Sequence, residues 1–535
     1  MIKIKAVQEN PKVGDIKGNT ALIEKYLVSA DKEKIDLLIF SEMFISGYPP
    51  EDLVMRDDFL DEITKYIEHI TSLSKETSLV FGAPIKKDGV LYNAAICISE
   101  GNLVETYFKQ ILPNYKEFDE KRYFEKGKKN KIIKIKNIPI GLSICEDIWS
   151  EAFVNNLVDE GAEIILNLSA SPYTTSKKET RKKMLSGYYE KHQRPIVYVN
   201  QTGGQDELVF DGSSLILGSS EKSLVELKSF EIDSLNFEYR DSKINFLNSC
   251  LTNDQNYLKD VYDALVLGTK DYVEKNNFRG VLIGSSGGID SALTAVIAYD
   301  ALGKGRVKTI MMPFDFTADI SIEDAGSLAK NLGIEHSEIS IKKMYESFSL
   351  ALKESFEGMG IDKTEENLQS RCRGVTLMAL SNKLGFLVLT TGNKSEAAVG
   401  YSTLYGDTAG GFSVLKDVSK TLVYELANYR NSLSVVIPKR IIERPPSAEL
   451  APDQKDTDSL PDYDRLDPII EMYVEDDKSI QEIINEGFDE KEVRRIVSLI
   501  DFNEYKRRQA PLGIKISDRN FGKDRRYPIT NSWKP

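Results

Sequence analysis

The feature that most restricts the fold lies in the second half of the chain, where an apolar strand runs through a glycine- and serine-rich loop into a helix. The strand is predicted at residues 280–284, the loop reads Gly284-Ser-Ser-Gly-Gly-Ile-Asp-Ser291, and the helix is predicted at 290–302. Glycines let the backbone turn sharply and expose its N–H groups, and a helix start adds partial positive charge. A loop of this kind indicates a phosphate site. Because it lacks a Gly-Lys-Ser/Thr ending, it is not the usual P-loop.

The surrounding pattern predicts two α/β units. In the first half, strands are predicted at 2–8, 36–41, 79–84, 94–98, 138–145, 163–169 and 196–201, with helices at 19–32 and 57–75, which indicates layered sheets. The second half adds helices at 257–275 and 365–384 and strands at 307–313 and 386–391. The pattern weakens over 232–256, so we predict domains at 1–245 and 257–535 joined by a linker at 246–256. An extended or mobile loop is predicted at 443–467, and a basic, irregular tail at 505–535.

Composition excludes several classes of protein. The 535 residues carry a formal charge of −13, which disfavours a nucleic-acid binder. No apolar run is long enough to span a bilayer, and the start of the chain lacks the apolar centre of a signal peptide. The four cysteines are scattered and there are three histidines, so neither a disulfide framework, a zinc site nor Ser-His chemistry is indicated. We expect a reduced, cytoplasmic setting without a membrane partner.

Three polar residues of the first half follow strand-like segments. Glu42 follows Leu-Leu-Ile-Phe-Ser41, Lys109 follows Val-Glu-Thr-Tyr-Phe108, and Cys145 follows Ile-Gly-Leu-Ser-Ile144. If the strands form one sheet, the three side chains can meet at one edge. A thiol, a carboxylate and an amine together suit covalent hydrolysis of an amide, because the carboxylate takes the thiol proton and the ammonium stabilises the oxyanion. Each residue alone has an ordinary explanation in packing or surface polarity.

The sequence motifs around these residues resemble those of the nitrilase superfamily. They are Ser41-Glu-Met-Phe-Ile-Ser-Gly-Tyr-Pro-Pro50, Lys109-Gln-Ile-Leu-Pro-Asn-Tyr115 with Phe118-Asp-Glu-Lys-Arg-Tyr-Phe124, and Cys145-Glu-Asp-Ile-Trp149. More narrowly, they resemble the glutaminase branch of that superfamily in glutamine-dependent NAD synthetases. The resemblance implies an αββα sandwich with a Glu42-Lys109-Cys145 triad. It also implies glutamine binding by Tyr115, Ser171 and Lys177. A second carboxylate after the lysine is expected, and both Glu117 and Glu120 qualify.

The second half resembles the NAD synthetase core. The segment Ser286-Gly-Gly-Ile-Asp-Ser291 is similar to the pyrophosphate loop of N-type ATP pyrophosphatases, which implies a Rossmann-like parallel sheet. The match continues through Glu366-Asn-Leu-Gln-Ser-Arg-Cys-Arg-Gly374, Thr390-Thr-Gly-Asn-Lys-Ser-Glu396, Gly400-Tyr-Ser-Thr-Leu-Tyr-Gly-Asp407, Lys416-Asp-Val-Ser-Lys-Thr421 and Arg444-Pro-Pro-Ser-Ala-Glu-Leu450. We interpret Cys372, between two arginines, as a packing residue.

The resemblance assigns three sets of residues in this half. The ATP set is Gly284, Ser285, Ser286, Gly287, Gly288, Ile289, Asp290, Ser291, Thr391, Lys420 and Ser447. The deamido-NAD set is Asn367, Glu396, Tyr401, Ser402, Thr403, Leu404 and Lys506. For Lys506, a solvated basic tail is nearly as good an explanation. Asp290 and Glu396 are the expected magnesium ligands, since hard carboxylate oxygens suit Mg²⁺ that bridges phosphates.

Together these resemblances imply an amidating ligase. ATP with Mg²⁺ would adenylate the nicotinate carboxylate of deamido-NAD, and ammonia from L-glutamine would displace AMP to give NAD. The resemblance also implies a homo-oligomer. Two alternatives remain: the same architecture with another acceptor, as in GMP synthetase, and a nucleotide sensor that binds without turnover. The blocks around 367–407 argue against the first, and the complete set of candidate catalytic residues argues against the second.

Overall fold

In the computed structural model, the chain divides into two compact units, Met1–Asn256 and Tyr257–Pro535. The structure describes residues 1–218, 224–247, 256–451, 454, 456 and 460–529. Part of the predicted linker, including Cys250, and the last six residues lie outside these ranges. None of the helices within them combines the length and apolar content needed to cross a bilayer.

The first unit is built from two large sheets and one hairpin. Its strands are β1 (Ile2–Gln8), β2 (Leu37–Ile39), β3 (Ser78–Lys87), β4 (Val90–Ser99), β5 (Asn102–Phe108), β6 (Ile132–Ile135), β7 (Ile138–Ile144), β8 (Ile164–Ser169), β9 (Ile196–Asn200), β10 (Thr202–Gln205), β11 (Leu208–Asp211), β12 (Leu215–Leu217), β13 (Leu224–Glu226), β14 (Asp233–Arg240) and β15 (Lys243–Phe246). One sheet has the order β15-β14-β1-β2-β3-β4-β5, the other has the order β13-β12-β9-β8-β7-β6, and β10 pairs with β11.

Helices cover the outer faces of the two sheets. They are α1 (Ile16–Glu33), α2 (Asp57–Leu73), α3 (Glu151–Asp159) and α4 (Lys177–His192). Alternate side chains of β1 point to opposite faces, so Ile4 and Ala6 join a core shared with the second sheet, whereas Val7 packs beneath α1 and α2. The layers therefore run α-β-β-α, as the sequence predicted.

No strand was predicted within residues 232–256, where the pattern weakens, and this was wrong for 233–246. Strands β14 and β15 occupy this segment, and β14 pairs antiparallel with the whole of β1, from Ile2 opposite Tyr239 to Gln8 opposite Asp233. Leu235, Phe237 and Tyr239 alternate as buried residues. Because polar residues separate them, the stretch has low average hydropathy although it keeps the period of a strand.

The second unit contains a five-stranded parallel sheet. Its strands are β16 (Val281–Gly284), β17 (Val307–Met311), β18 (Glu335–Glu338), β19 (Leu387–Thr390) and β20 (Phe412–Ser413). The order is β18-β17-β16-β19-β20, and every pair is parallel. The order reverses at β16, so the loop after β16 lies at the switch point where such sheets bind ligands.

Helices surround this sheet and extend beyond it. They are α5 (Tyr257–Lys275), α6 (Ile289–Leu302), α7 (Asp319–Leu332), α8 (Lys342–Leu352), α9 (Lys363–Leu384), α10 (Lys394–Val399), α11 (Lys420–Leu433), α12 (Lys439–Glu443), α13 (Tyr463–Ile470), α14 (Ile480–Asn485), α15 (Glu490–Phe502) and α16 (Glu504–Arg507). Helix α13 begins at Tyr463, inside the predicted loop 443–467, of which 452, 453, 455 and 457–459 lie outside the described residues.

The basic tail is not the solvated face that its composition suggests. Arg507, Lys515 and Arg525 are buried. The Lys515 ammonium lies 2.8 Å from an Asp524 oxygen, and the Arg525 guanidinium stacks 3.6 Å from the ring centre of Tyr527. The Arg525 guanidinium also lies 2.8 Å from an Asp501 oxygen in α15, and Arg507 Nη1 donates to the Ala398 carbonyl at 2.7 Å, so these cations fix the tail against the unit.

Candidate active sites

The predicted triad residues are all buried in the first unit. Glu42 follows β2, Lys109 follows β5, and Cys145 opens a short 3₁₀ helix after β7. The Lys109 Nζ atom donates to Glu42 Oε1 at 2.8 Å. Gly82 lets the chain approach here, because a Cβ added to it would stand 2.1 Å from the Met43 nitrogen.

A second carboxylate completes this site. Lys109 Nζ also donates to Glu120 Oε1 at 2.8 Å, and the Tyr48 hydroxyl donates to the same oxygen at 3.2 Å. Of the two acids that the sequence left open, Glu120 is therefore the one in contact with the lysine, whereas Glu117 is half-buried. Lys109 lies between two carboxylates in a site closed to water.

The Glu42 carboxylate is held by two further donors. The Asn93 side-chain amide donates to Glu42 Oε1 at 2.7 Å, and the Ala170 backbone N–H donates to Glu42 Oε2 at 2.9 Å. The sequence patterns did not single out Asn93, which lies in β4 among apolar residues. A polar residue in an otherwise apolar strand was the available signal.

Burial and charge set the protonation of Cys145 and Lys109. Burial and the Glu42 carboxylate raise the pKa of the Cys145 thiol well above its usual value, while Lys109 opposes them. Burial lowers the pKa of Lys109, but Glu120 and Glu42 outweigh it and hold the pKa well above its usual value. The resting site therefore holds a neutral thiol beside an ammonium, and a base must remove the thiol proton.

The backbone of Cys145 is strained. Its φ angle is 42°, in the left-handed region that favours glycine. Such a conformation costs about 1–3 kcal/mol in a residue with a side chain. A sharp turn directly after a strand presents the thiol at the strand end, which is the geometry expected of the predicted nucleophile.

The residues predicted to bind glutamine lie around this turn. The Tyr115 hydroxyl donates to Glu146 Oε1 at 2.9 Å, and the Lys177 ammonium lies 5.3 Å from the ring centre of Phe118. The ring centres of Tyr115 and Phe118 are 5.7 Å apart. Ser171 is buried, and its hydroxyl has no hydrogen-bond partner among the described residues. The sequence did not single out Glu146 and Phe118 as part of this group.

The predicted ATP residues line one cavity of about 330 Å³ in the second unit. All eleven residues of that set are on its wall, from the Gly284–Ser291 loop to Thr391, Lys420 and Ser447. Gly287 has a φ of 76°, and a Cβ there would lie 2.3 Å from the Ser321 carbonyl oxygen. Only glycine fits this turn, which opens the loop at the start of α6.

Lys420 lies between the two predicted magnesium ligands. Its Nζ atom is 2.5 Å from Asp290 Oδ2 and 3.1 Å from Glu396 Oε1. The Asn393 amide donates to Asp290 Oδ1 at 2.8 Å. Burial and the neighbouring acids raise the pKa of Glu396, while Lys420 opposes them. The sequence named all three charged residues but did not foresee that they meet.

The carboxylates fit a magnesium ion that shares its coordination with phosphate. Mg²⁺ usually binds one or two protein carboxylates and completes its shell with phosphate oxygens and water. Asp290 and Glu396 supply two carboxylates beside a phosphate-type loop. No cluster of three or more Asp, Glu, His or Cys residues that could hold a metal occurs in the described ranges.

The predicted deamido-NAD residues divide between the cavity wall and a loop behind it. Glu396, Tyr401, Ser402 and Lys506 line the cavity. Lys506 Nζ donates to the carbonyl oxygens of Gly400 and Ser402 at 2.8 and 2.9 Å, which ties the tail to this loop.

Three members of that set are outside the cavity lining: Asn367, Thr403 and Leu404. The Thr403 hydroxyl donates to Asn367 Oδ1 at 2.8 Å, and the Leu404 carbonyl accepts from Arg371 Nε at 3.2 Å. Their binding role remains a prediction. Cys372 is buried among apolar neighbours, which agrees with a packing role.

Comparisons with known proteins match both units. A carbon-nitrogen hydrolase family model matches residues 3–235, and an NAD synthase family model matches residues 261–510. The glutamine-dependent NAD(+) synthetase of Acinetobacter baylyi is 44% identical over 538 residues, covering 100% of this chain and 99% of that protein. The chain belongs to the glutamine-dependent NAD(+) synthetase family.

Further members of this family agree over the full length. The Thermotoga maritima glutamine-dependent NAD(+) synthetase is 43% identical, covering 100% of this chain and 99% of that protein. The structure of the Acinetobacter baumannii glutamine-dependent NAD+ synthetase in complex with ADP is 42% identical, covers 99% of both chains and has a TM-score of 0.80. Both units of the chain are therefore present in these relatives.

Proposed function

We propose that the chain makes NAD⁺ from deamido-NAD⁺, consuming ATP and taking ammonia from L-glutamine. The observation that carries this is the pairing, in a member of this family, of a buried Glu42-Lys109-Cys145 group with a phosphate-type loop that lines a cavity. The products are NAD⁺, AMP, pyrophosphate and L-glutamate.

In the first unit, Glu42 is the general base. It takes the Cys145 proton as the thiolate sulfur attacks the glutamine amide carbon and pushes the electron pair onto the carbonyl oxygen. Lys109 is placed to stabilise that oxyanion, because it is a cation that two carboxylates keep protonated. When the tetrahedral intermediate collapses, ammonia leaves with the proton that Glu42 returns. Glu42 then activates water against the thioester, and glutamate is released.

The glutamine would be held beside this group. Tyr115, Ser171 and Lys177 are the proposed contacts, since the unpartnered Ser171 hydroxyl and the Lys177 cation suit the polar end of an amino acid. Glu146 completes the set with a negative charge that suits the α-ammonium group of glutamine.

In the second unit, the Gly284–Ser291 loop would hold the ATP phosphates with its N–H groups. The nicotinate carboxylate of deamido-NAD⁺ attacks the α-phosphorus, and pyrophosphate leaves. Ammonia then attacks the acyl carbon and displaces AMP, leaving the carboxamide. Lys420 supplies positive charge beside the phosphates, while Asp290 and Glu396 would hold magnesium. When bound, the magnesium would neutralise charge on the phosphates.

The binding of an adenine nucleotide is supported by a relative. The Acinetobacter baumannii structure is a complex with ADP, and the predicted ATP residues of this chain line a single cavity. We also propose, from the family resemblance, that the working form is a cytoplasmic homo-oligomer.

The decisive test compares wild type with Cys145→Ala, each with glutamine or with ammonium as the nitrogen source. The variant should lose glutamine-dependent NAD⁺ formation, because the thioester can no longer form at residue 145, and should keep ammonium-dependent formation. NAD⁺, AMP and glutamate are measured together. Loss of both activities in a folded variant would contradict the division of labour.

The reciprocal variant is Asp290→Ala. Removal of this carboxylate should abolish pyrophosphate release with either nitrogen source, while some glutamine hydrolysis continues in the first unit. Pyrophosphate release at the wild-type rate would show that Asp290 has no part in nucleotide or metal binding.

A further inference from the structure

Asp147 is a buried carboxylate that the proposed mechanism does not use. It lies in the 3₁₀ helix that Cys145 opens, and its side chain is fully shielded from solvent. One oxygen, Oδ1, accepts from the backbone N–H of Gln110 at 3.0 Å and from that of Ile111 at 2.8 Å. These two residues directly follow Lys109. The Oδ1 atom of Asp147 therefore fixes the backbone segment that carries Lys109.

The second oxygen of the Asp147 carboxylate fixes the backbone segment that carries Cys145. Oδ2 accepts from the backbone N–H of Ile144 at 2.9 Å and from the Tyr107 hydroxyl at 2.7 Å. Ile144 directly precedes Cys145, and Tyr107 lies in β5, two residues before the lysine. One side chain thus joins the end of β5 to the end of β7, which belong to different sheets.

We propose that Asp147 is a positioning residue, which fixes the Lys109 ammonium relative to the Cys145 sulfur through the backbone. The proposal rests on the glutaminase function proposed above. The negative charge develops on the oxygen bonded to the carbon that the sulfur attacks. The distance between the Lys109 ammonium and the Cys145 sulfur must therefore stay fixed during the attack. A displacement of about 1 Å at such a site can cost roughly 100-fold in rate.

An ionised carboxylate suits this position better than a neutral side chain. Four donors converge on it from two segments, and an amide offers only one oxygen to accept them. Burial raises the pKa of Asp147 to about 6, and hydrogen bonds from Tyr107 and Ile144 together with the Lys109 charge oppose that rise. Ionisation is thus maintained near neutral pH at the cost of burying a charge.

The test uses the full-length chain and the variant Asp147→Asn, which keeps the size of the side chain. Whichever way the amide turns, its NH₂ group faces backbone N–H donors on one of the two segments. We expect kcat for glutamine hydrolysis to fall by roughly 10- to 100-fold with little change in KM, because the residues that bind glutamine lie elsewhere. Ammonium-dependent NAD⁺ formation should stay at the wild-type rate.

Two further variants separate positioning from stability. Tyr107→Phe removes one donor and leaves the carboxylate, so kcat should fall by only about 2- to 10-fold. Asp36→Asn is the matched control, because the Asp36 carboxylate also accepts a backbone N–H from another strand, that of Lys3 at 2.9 Å. It lies at the start of β2, at the end away from Glu42, and its loss should leave kcat unchanged.

The rate of Cys145 alkylation by iodoacetamide gives a readout that does not depend on turnover. In Asp147→Asn, this rate and its pH midpoint should change, since the lysine no longer stands at its fixed distance from the thiol. Wild-type kcat and alkylation in a folded Asp147→Asn variant would overturn the proposal, as would an equal fall of kcat in Asp36→Asn. If wild type itself hydrolyses no glutamine, the proposed function fails instead.

Discussion

The two units each place a buried lysine between two carboxylates, yet the two arrangements differ in how far solvent reaches the carboxylates. Lys109 contacts Glu42 and Glu120, and the side chains of Lys109 and Glu42 are fully buried. Lys420 contacts Asp290 and Glu396, whose side chains remain 17% and 18% exposed and line a cavity.

The difference matches the chemistry of each site. Amide hydrolysis through a thioester needs a fixed base and a fixed cation within a small enclosed space, so a closed arrangement serves it. Adenylation needs carboxylates that can exchange a lysine contact for a metal and a nucleotide, so an open arrangement serves it. The same arrangement of one lysine and two carboxylates therefore suits a preset group at the proposed glutaminase site and a replaceable set of ion contacts at the proposed ATP site.

Replacing each lysine with methionine should separate the two arrangements most strongly. Lys109→Met leaves two buried carboxylates without a cation, and removal of one partner of a buried ion pair costs about 3–5 kcal/mol. Glutamine hydrolysis should also fall by at least about 100-fold, the usual cost of losing an oxyanion donor. Lys420→Met should abolish pyrophosphate release with a smaller loss of stability, because water reaches its carboxylates.

The free energy of unfolding for these variants is measured by urea denaturation, followed by a signal from each unit. Lys131→Met, in which an ammonium 3.0 Å from Glu105 Oε2 is lost, controls for the loss of a partly exposed pair. Equal destabilisation by Lys109→Met and Lys420→Met would remove the distinction between closed and open sites.

A second prediction concerns the thiol of the closed site. Burial and the Glu42 charge raise the pKa of Cys145, so Glu42→Gln should lower it. The pH midpoint for alkylation by iodoacetamide should therefore move to lower pH, although glutamine hydrolysis falls sharply with the loss of the base.

The control for this experiment is Cys145→Ala, which reports the reaction of the remaining cysteines. Cys97 is buried and its pKa is raised to about 12, so it should contribute little. A midpoint that rises or stays fixed in Glu42→Gln would contradict the assigned effect of the carboxylate on the thiol.

The smallest expected effect comes from Tyr115, which lies beside the closed site. Tyr115→Phe removes the hydroxyl that contacts Glu146 but keeps the ring beside Phe118. The KM for glutamine should rise by about 2- to 10-fold, the usual value of one hydrogen bond, while kcat is retained.

Tyr123→Phe is the matched control, since its hydroxyl contacts Glu51 and Asp52 instead. The kcat and the KM for glutamine of both variants are measured by steady-state kinetics and compared. A loss of kcat in Tyr115→Phe would place this tyrosine in the chemical step and extend the closed group beyond its three charges.

Much of the fold could be predicted from local pattern. The predicted strand 2–8 and helix 257–275 have the bounds of β1 and α5, because strong periodicity decides such elements. Strand ends also indicated that Glu42 and Lys109 could meet, and β2 and β5 do lie in one sheet, whereas Cys145 follows β7 of the other sheet. The strands at 233–246 were missed because average hydropathy was weighed above alternation.

What could not be predicted depends on contacts between distant segments. Glu117 and Glu120 are equivalent in sequence, and only the path of the loop brings Glu120 to Lys109. Asp147 accepts from backbone donors 36 and 37 residues away, and a backbone N–H leaves no mark in the sequence. Lys420 meets Asp290 across 130 residues, so the ion pair follows from topology alone.

The pairing of β1 with β14 has a consequence for how the first unit forms during synthesis. Strand β1 can pair with β2 soon after both are made, but its other edge must wait for β14, more than 220 residues later, as in the match of Ile2 with Tyr239. Closing so long a loop comes late in folding, because its entropy is lost before the contact returns any stabilisation. One edge of the nascent sheet therefore stays unpaired until the whole first unit has been synthesised. A chaperone that shields strand edges would act in that interval.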